Sequence, residues 1–251
     1  MLKLKTMKRI IYLSLVLPLI LFSCESIPEA QFSTDTLKPE VGQDVYFTNE
    51  SNNAVDFHWD FGDGYASDDE NPVHYFSGTG TFDVVMTAIS KKGLEDKATI
   101  TIEVMIPTLL EVEVLDYDTE DAITGISVWL FPTLIDWESH ENNVETEGYT
   151  DDNGFVVFSH LGPWVYYVDV SSSNYNNYAI YADLGVDWIR TNEIIPNRIN
   201  YFTAWVDYVG PVKGANTMVI RRLEKRPMAK TQLSVRTDDW QTLYAKSIKV
   251  K

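Results

Sequence analysis

Apolar and polar residues alternate with a period of two along most of the chain between residues 29 and 170. Val45 and Phe47 share one face, as do Phe57, Trp59 and Phe61. Phe82, Val84, Met86 and Ala88 recur at every second position, and so do Ala98, Ile100, Ile102 and Val104. This spacing is that of strands buried on one side. Gly62, Gly64, Asn71-Pro72, Gly78, Gly80 and Gly93 break the runs at turns. Strands with one apolar face each bury it by packing two sheets together, so the pattern predicts a β-sandwich.

Pro107 is the only strong break before the pattern resumes, which predicts two closely coupled modules rather than two tethered ones. Leu110, Val112 and Val114 alternate with Glu111 and Glu113, and Ile126, Val128 and Leu130 form the next face, opposite Trp129 and Phe131. A turn at Asp151-Asp152-Asn153-Gly154 leads to Val156 and Phe158, and Tyr166, Val168 and Val170 continue the period. Residues 199–208 and 217–223 read as strands completing this second sandwich. The stretch 233–250 reads as a last strand pair or a tail, and scarcely any helical pattern occurs.

Residues 1–23 stand apart. Lys3, Lys5, Lys8 and Arg9 precede a thirteen-residue run, Ile10–Phe22, that is apolar apart from Tyr12, Ser14 and Pro18. As a helix this run rises about 20 Å, short of the ~30 Å hydrocarbon core of a bilayer. It reads as a secretory signal rather than a membrane span. The run closes on Leu21-Phe22-Ser23-Cys24, which resembles the bacterial lipoprotein box. That resemblance implies cleavage before Cys24, lipidation of its thiol and anchoring in a membrane of the cell envelope, with the outer membrane and cell surface expected. Cys24 is the only cysteine in the chain, so no intrachain disulfide can form.

The run Trp59-Asp60-Phe61-Gly62-Asp63-Gly64 resembles the signature of the PKD domain, an immunoglobulin-like sandwich of extracellular proteins. The likeness extends from Ala30-Gln31-Phe32 through Asn71-Pro72-Val73-His74 to Gly80-Thr81-Phe82. Phe76 departs from it, standing where that family more often carries Tyr. Trp59 and Phe61 are expected to point inward, Asp60 and Asp63 to close turns, and His74 to act as a structural hydrogen-bonder. Further on, Gly148-Tyr149-Thr150 through Phe158, then Leu161-Gly162-Pro163 and Tyr166, resemble the carboxypeptidase regulatory-like family, which implies a transthyretin-type sandwich. Trp164 stands where that family commonly has Gly.

The expected class is therefore all-β, with two tandem sandwiches. Residues 1–23 are the signal, 24–28 a short tether, 29–106 the PKD-like module, 107–225 the second module and 226–251 a basic segment. The chain carries 37 Asp+Glu against 20 Lys+Arg, a net charge of −17. The acids concentrate in residues 24–220, whose net charge is −27, whereas residues 221–251 carry +6. Such an acidic body repels phosphate backbones, which argues against nucleic acid. The basic end is expected to fold back on it.

Catalytic and metal chemistry find little footing. His58, His74, His140 and His160 lie in no nucleophile motif, and no glycine-rich phosphate loop opens a helix. No cofactor is expected. Asp116-Tyr117-Asp118-Thr119-Glu120-Asp121 and Asp68-Asp69-Glu70 are acidic loops, but the first lacks the Gly and Glu at the sixth and twelfth positions of a calcium loop, holding Asp121 and Ser127 there. The functional signal is aromatic: Trp164, Tyr167, Tyr175, Tyr178, Trp188 and Trp205 belong to a Trp- and Tyr-rich stretch whose residues strand parity cannot all bury. Exposed rings of this kind make platforms for sugars or for a protein partner; alternatively, some of them cover the edge of the second core. The expected function is a membrane-anchored, non-catalytic binding or adhesion protein for glycan or protein. The alternative is a structural accessory subunit of an outer-membrane transport or assembly complex.

Overall fold

The computed structural model describes residues 26–144, 147–210 and 239–248. The expected leader, Cys24 and the strand expected at 217–223 lie outside the described residues. Among those described, no helix is long and apolar enough to cross a membrane.

The first module holds β1 (Phe32–Thr34), β2 (Asp44–Asn49), β3 (Asp56–Asp60), β4 (Ala66–Ser67), β5 (Val73–Tyr75), β6 (Gly80–Ile89) and β7 (Glu95–Val104). They form a three-stranded sheet, β1-β2-β5, facing a four-stranded sheet, β4-β3-β6-β7. The alternating positions meet between them: Val45, Phe47, Trp59, Phe61, Val84, Met86, Ala88 and Ile102 form one buried cluster. The turns follow from side-chain chemistry. Asp60 Oδ1 accepts the Gly62 N–H at 2.9 Å, and Asp63 Oδ1 accepts the Tyr65 N–H at 3.1 Å. Gly62 has φ +77°, and a Cβ there would lie 2.8 Å from the Asp83 carbonyl oxygen, so only glycine fits this turn. His74 bonds Asp63 Oδ2 at 2.8 Å and stacks on Phe61 with ring centroids 4.0 Å apart. Phe76 is fully buried against Phe82 and His74, its ring taking an apolar role.

The second module contains β8 (Leu109–Asp116), β9 (Ser127–Phe131), α1 (Leu134–Ser139), β10 (Gly148–Tyr149), β11 (Phe155–Ser159) and β12 (Tyr167–Ser171). It continues with β13 (Tyr175–Asn176), α2 (Tyr178–Leu184), a 3-10 turn over Val186–Trp188 and β14 (Ile199–Tyr208). Strand order is β10-β9-β12-β13-β14-β8-β11. Every pairing is antiparallel except β14 with β8, which runs parallel from Ile199↔Leu109 to Val206↔Asp116. The sheet folds over a core of Leu110, Val112, Val114, Val128, Leu130, Val156, Phe158, Val168 and Val170. The alternation places Glu111 and Glu113 on the opposite face, yet both are buried. β8 is an interior strand between β14 and β11, and a further helix, α3 (Trp240–Ile248), packs at Leu109 on that face.

The helices correct the sequence reading. Residues 240–248 form α3, neither strand nor tail, and α1 and α2 cover the outer face of β9 and β12. Each is at most nine residues long, too short for a periodic signal to stand out. α1 is started by Thr133, whose hydroxyl accepts the Asp136 N–H at 3.1 Å. α3 seats Leu243 against Leu109 and Val157 of the second module, while Trp240 and Tyr244 also pack on the first-module core.

Candidate functional site

The loop joining β11 to β12 carries the most exposed of the candidate rings. It is pinned from both ends, because Leu161 and Tyr166 are buried in the second core. The Tyr166 hydroxyl donates to the Gly162 carbonyl at 3.2 Å, and Tyr166 N–H donates to Thr191 Oγ1 at 2.9 Å. Between these anchors, Trp164 N–H reaches the Gly162 carbonyl at 2.8 Å, and Ile194 N–H reaches the Trp164 carbonyl at 3.0 Å. The backbone is thus fixed while the Trp164 side chain stays outside, 64% exposed. Its indole lies over Gly162: a Cβ at that position would fall 2.5 Å from Trp164 Nε1. A side chain at 162 would push the ring off its seat.

Two clefts flank this loop. One, of about 450 Å³, is lined by Pro132, Pro163, Trp164, Val165 and Glu193. The other, of about 550 Å³, lies at the seam between the modules, with Lys38 and Gln43 from the first and Pro163, Pro196 and Asn197 from the second. Pro163 borders both.

One carboxylate organises the seam. Glu40 Oε1 accepts from the Thr108 N–H at 3.0 Å, from the Thr108 hydroxyl and from Asn197 Nδ2 at 3.3 Å. Glu40 Oε2 pairs with His160 Nδ1 at 2.9 Å, and His160 Nε2 meets the Tyr244 hydroxyl of α3 at 3.2 Å. First module, second module and C-terminal helix therefore converge on Glu40. Burial pushes its pKa up, but the hydrogen bonds from His160 and Thr108 outweigh burial and hold it below its ordinary value. A carboxyl depressed in the folded state stabilises above its unfolded pKa, and that stabilisation is lost as pH falls through the folded value. Glu40→Gln should therefore cost stability at neutral pH and flatten the acid limb below about pH 4.3. Melting curves at several pH values test this; an acid limb unchanged by the substitution would contradict it.

A second cluster joins α1 and α2 to the sheet. Asp169 is fully buried, with Oδ2 3.0 Å from His140 Nε2 and 3.4 Å from Ser171 Oγ. Burial raises the Asp169 pKa despite His140, and burial together with the Asp169 charge pushes the Tyr178 phenol up to about 12. Ser171 Oγ donates to the Asp169 carboxylate and not to the His140 imidazole, which bonds the same oxygen. Tyr178 and His140 meet at 3.3 Å over Trp137, whose indole N–H donates to the Val168 carbonyl at 3.1 Å. This arrangement fastens the helices to the sheet. In the acidic loop, Asp116 Oδ1 accepts the N–H groups of Asp118 and Thr119, closing a turn. Among the described residues, no three His, Cys, Asp or Glu side chains converge as a metal site.

The structure does not gather the six candidate rings. Trp188, 6% exposed, packs with Tyr117 and Ile180, and Trp205 meets Tyr117 edge-on at 6.0 Å. Tyr167 lies against Phe131, Trp137 and Ile189 under the helices. Tyr175 is half-buried beside Tyr208, and Tyr178 sits at the rim of the His140 cluster. Of the six, Trp164 lines one of these two clefts. Parity places Tyr167 on the face away from the main core, but α1, α2 and the 3-10 turn cover that face with a core of their own. Lys38, Gln43, Glu193 and Asn197 carry no local signal, since only folding brings their segments together.

A family profile described as "PKD domain" matches residues 26–106. The first module is a PKD domain. Over 162 residues, 64% of the chain, the protein is 27% identical to Collagenase ColQ1 of Bacillus cereus (strain Q1). Over 186 residues, 74% of the chain, it is 26% identical to Collagenase ColA of Bacillus cereus (strain ATCC 14579). The chain spans only 16% of the length of each collagenase. Among solved structures, the PKD1 domain of Vibrio anguillarum Epp is 29% identical, with 33% of this chain and 99% of that one covered and a TM-score of 0.30.

Proposed function

We propose that the protein is a non-catalytic binding module of the bacterial envelope, anchored through a lipidated Cys24, that takes a glycan or protein ligand on Trp164 and the clefts beside it. The observation that carries this reading is the exposed Trp164 indole, carried on a pinned loop and lining one of two clefts that meet at Pro163. Burying a large hydrophobic side chain releases about 1.5–3 kcal/mol, so leaving one in water is a standing cost that a ligand would remove. Aromatic anchors in such positions dominate binding energetics elsewhere. The cleft walls carry both polar and apolar groups, which suits recognition of a ligand.

Two variants separate the anchor from the site. Cys24→Ala should shift the protein from the membrane pellet to the soluble fraction. Trp164→Ala should stay membrane-bound, keep its melting temperature and lose ligand by at least about tenfold, a cost of 1.4 kcal/mol or more. Retained binding by Trp164→Ala would refute the site. Capture of an envelope protein undiminished by Trp164→Ala, with no glycan bound, would favour a structural accessory subunit instead.

A further inference from the structure

We infer that the two clefts form one recognition surface shared between the modules, and that its ligand is an uncharged oligosaccharide long enough to cross the seam. This rests on the Trp164 reading above and adds the ligand class and the part played by the PKD module. Continuity comes from the loop itself. Pro163 lines both clefts, Gly162 beneath the Trp164 ring lines the seam cleft, and the segment from Glu193 to Asn197 reaches from one cleft to the other.

Side-chain chemistry selects the ligand. A flat, fixed indole matches the C–H face of a pyranose ring, because its apolar face is bound without a hydrogen-bond demand. The neighbouring polar groups suit hydroxyls: Glu193 accepts, Gln43 presents an amide, and Asn197, whose Nδ2 donates to Glu40 and to the Ile106 carbonyl, offers its amide oxygen. The Gln43 amide oxygen is already taken by the Glu40 N–H at 3.0 Å, which leaves its N–H groups as donors. Charge narrows the class. Among the described residues, Lys38 is the one Lys or Arg lining either cleft, and it is committed to Glu103 at 2.7 Å, while His160 of the seam cleft is paired with Glu40. The body from residue 24 to 220 carries −27, so a polyuronate or sulfated chain would meet like charge. The Glu40 hub sets the two halves of the surface before any ligand arrives, which lowers the ordering cost of binding.

The test is calorimetric titration of the full chain in detergent with neutral gluco-, manno- and N-acetylglucosamine oligosaccharides, disaccharide to octasaccharide, and with uronate oligosaccharides of the same lengths. One neutral series should bind, tightening by about tenfold with length, and the uronates should not. Gln43→Ala, and Gln43→Glu which keeps the acceptor for Glu40, should erase the gain with length while leaving disaccharide affinity intact. Gly162→Ala, which displaces the indole, should weaken every length. Length-independent binding that needs Trp164 but ignores Gln43 would overturn the shared surface and leave the Trp164 site standing. Tighter binding of uronates would overturn the charge argument. No binding of any oligosaccharide, with a protein ligand still lost in Trp164→Ala, would overturn the ligand class alone.

Discussion

Trp59→Ala should destabilise the PKD module by about 3–5 kcal/mol, a large share of the 5–15 kcal/mol typical of a whole domain. Trp59 is fully buried at the centre of the first core. Its ring meets Phe32 edge-on at 4.9 Å and Phe47 at 5.7 Å, so truncation opens a cavity lined by rings that cannot collapse far. Its indole N–H also donates to the Asp69 carbonyl at 2.8 Å, which ties the acidic loop after β4 to the core. Trp59→Phe keeps most of the packing and loses that bond, so it should cost less. Denaturant titration followed by circular dichroism reads both; a loss under about 1 kcal/mol for the alanine variant would contradict the assigned packing.

Leu243→Asp should have an effect of similar size through a different route. Leu243 is fully buried against Leu109 and Val157. A carboxylate there must either lose its hydration or lift α3 away, and lifting the helix also removes Trp240 and Tyr244 from the first-module core. We expect a loss of about 3 kcal/mol or more and faster proteolysis after the Asp239 region. Lys246→Ala is the control. It removes only the ion pair with Asp151 at 2.9 Å, whose lysine is more than a third exposed, and should change stability by under about 1 kcal/mol. If Leu243→Asp melts like the parent chain, α3 does not hold the modules together.

The parts of the molecule legible in its sequence are those whose cause is local. Val45, Phe47, Trp59 and Phe61 announce strands because each side chain's face is decided by its neighbours two residues away. Asp60 and Asp63 announce turns because they bond their own backbone two residues on. α3 left a weaker trace: Asp239 accepts the Gln241 N–H at 3.1 Å, and Trp240, Leu243, Tyr244 and Ser247 follow at helical spacing. Within an otherwise β-rich chain, one such stretch of nine residues reads equally well as a strand end.

The seam was illegible for a simpler reason. His160 lies 120 residues from Glu40 and 84 from Tyr244, and no local rule links positions so far apart. The aromatic stretch fell between these extremes. Trp164 and Trp188 belong to the same aromatic-rich stretch, yet one sits on a loop pinned by the buried Leu161 and Tyr166 and the other packs against Ile180 of α2. Only the covering helices decide between platform and core.

The parallel pairing of β14 with β8 imposes a schedule on the chain. β8 opens the second module, but one of its two neighbours is not available until residues 199–206 have been made. The helix that bridges both modules comes later still. Both sheets of the PKD domain, by contrast, lie within residues 26–106, and Trp240 and Tyr244 of α3 add to its core afterwards. A chain emerging from its N-terminus would therefore present both sheets of the first module, with Glu40 at their edge, while the rest is still being threaded. The unfinished sheet would have a built surface to assemble against, and the seam would be the place where the last-made segment reports that the whole has closed.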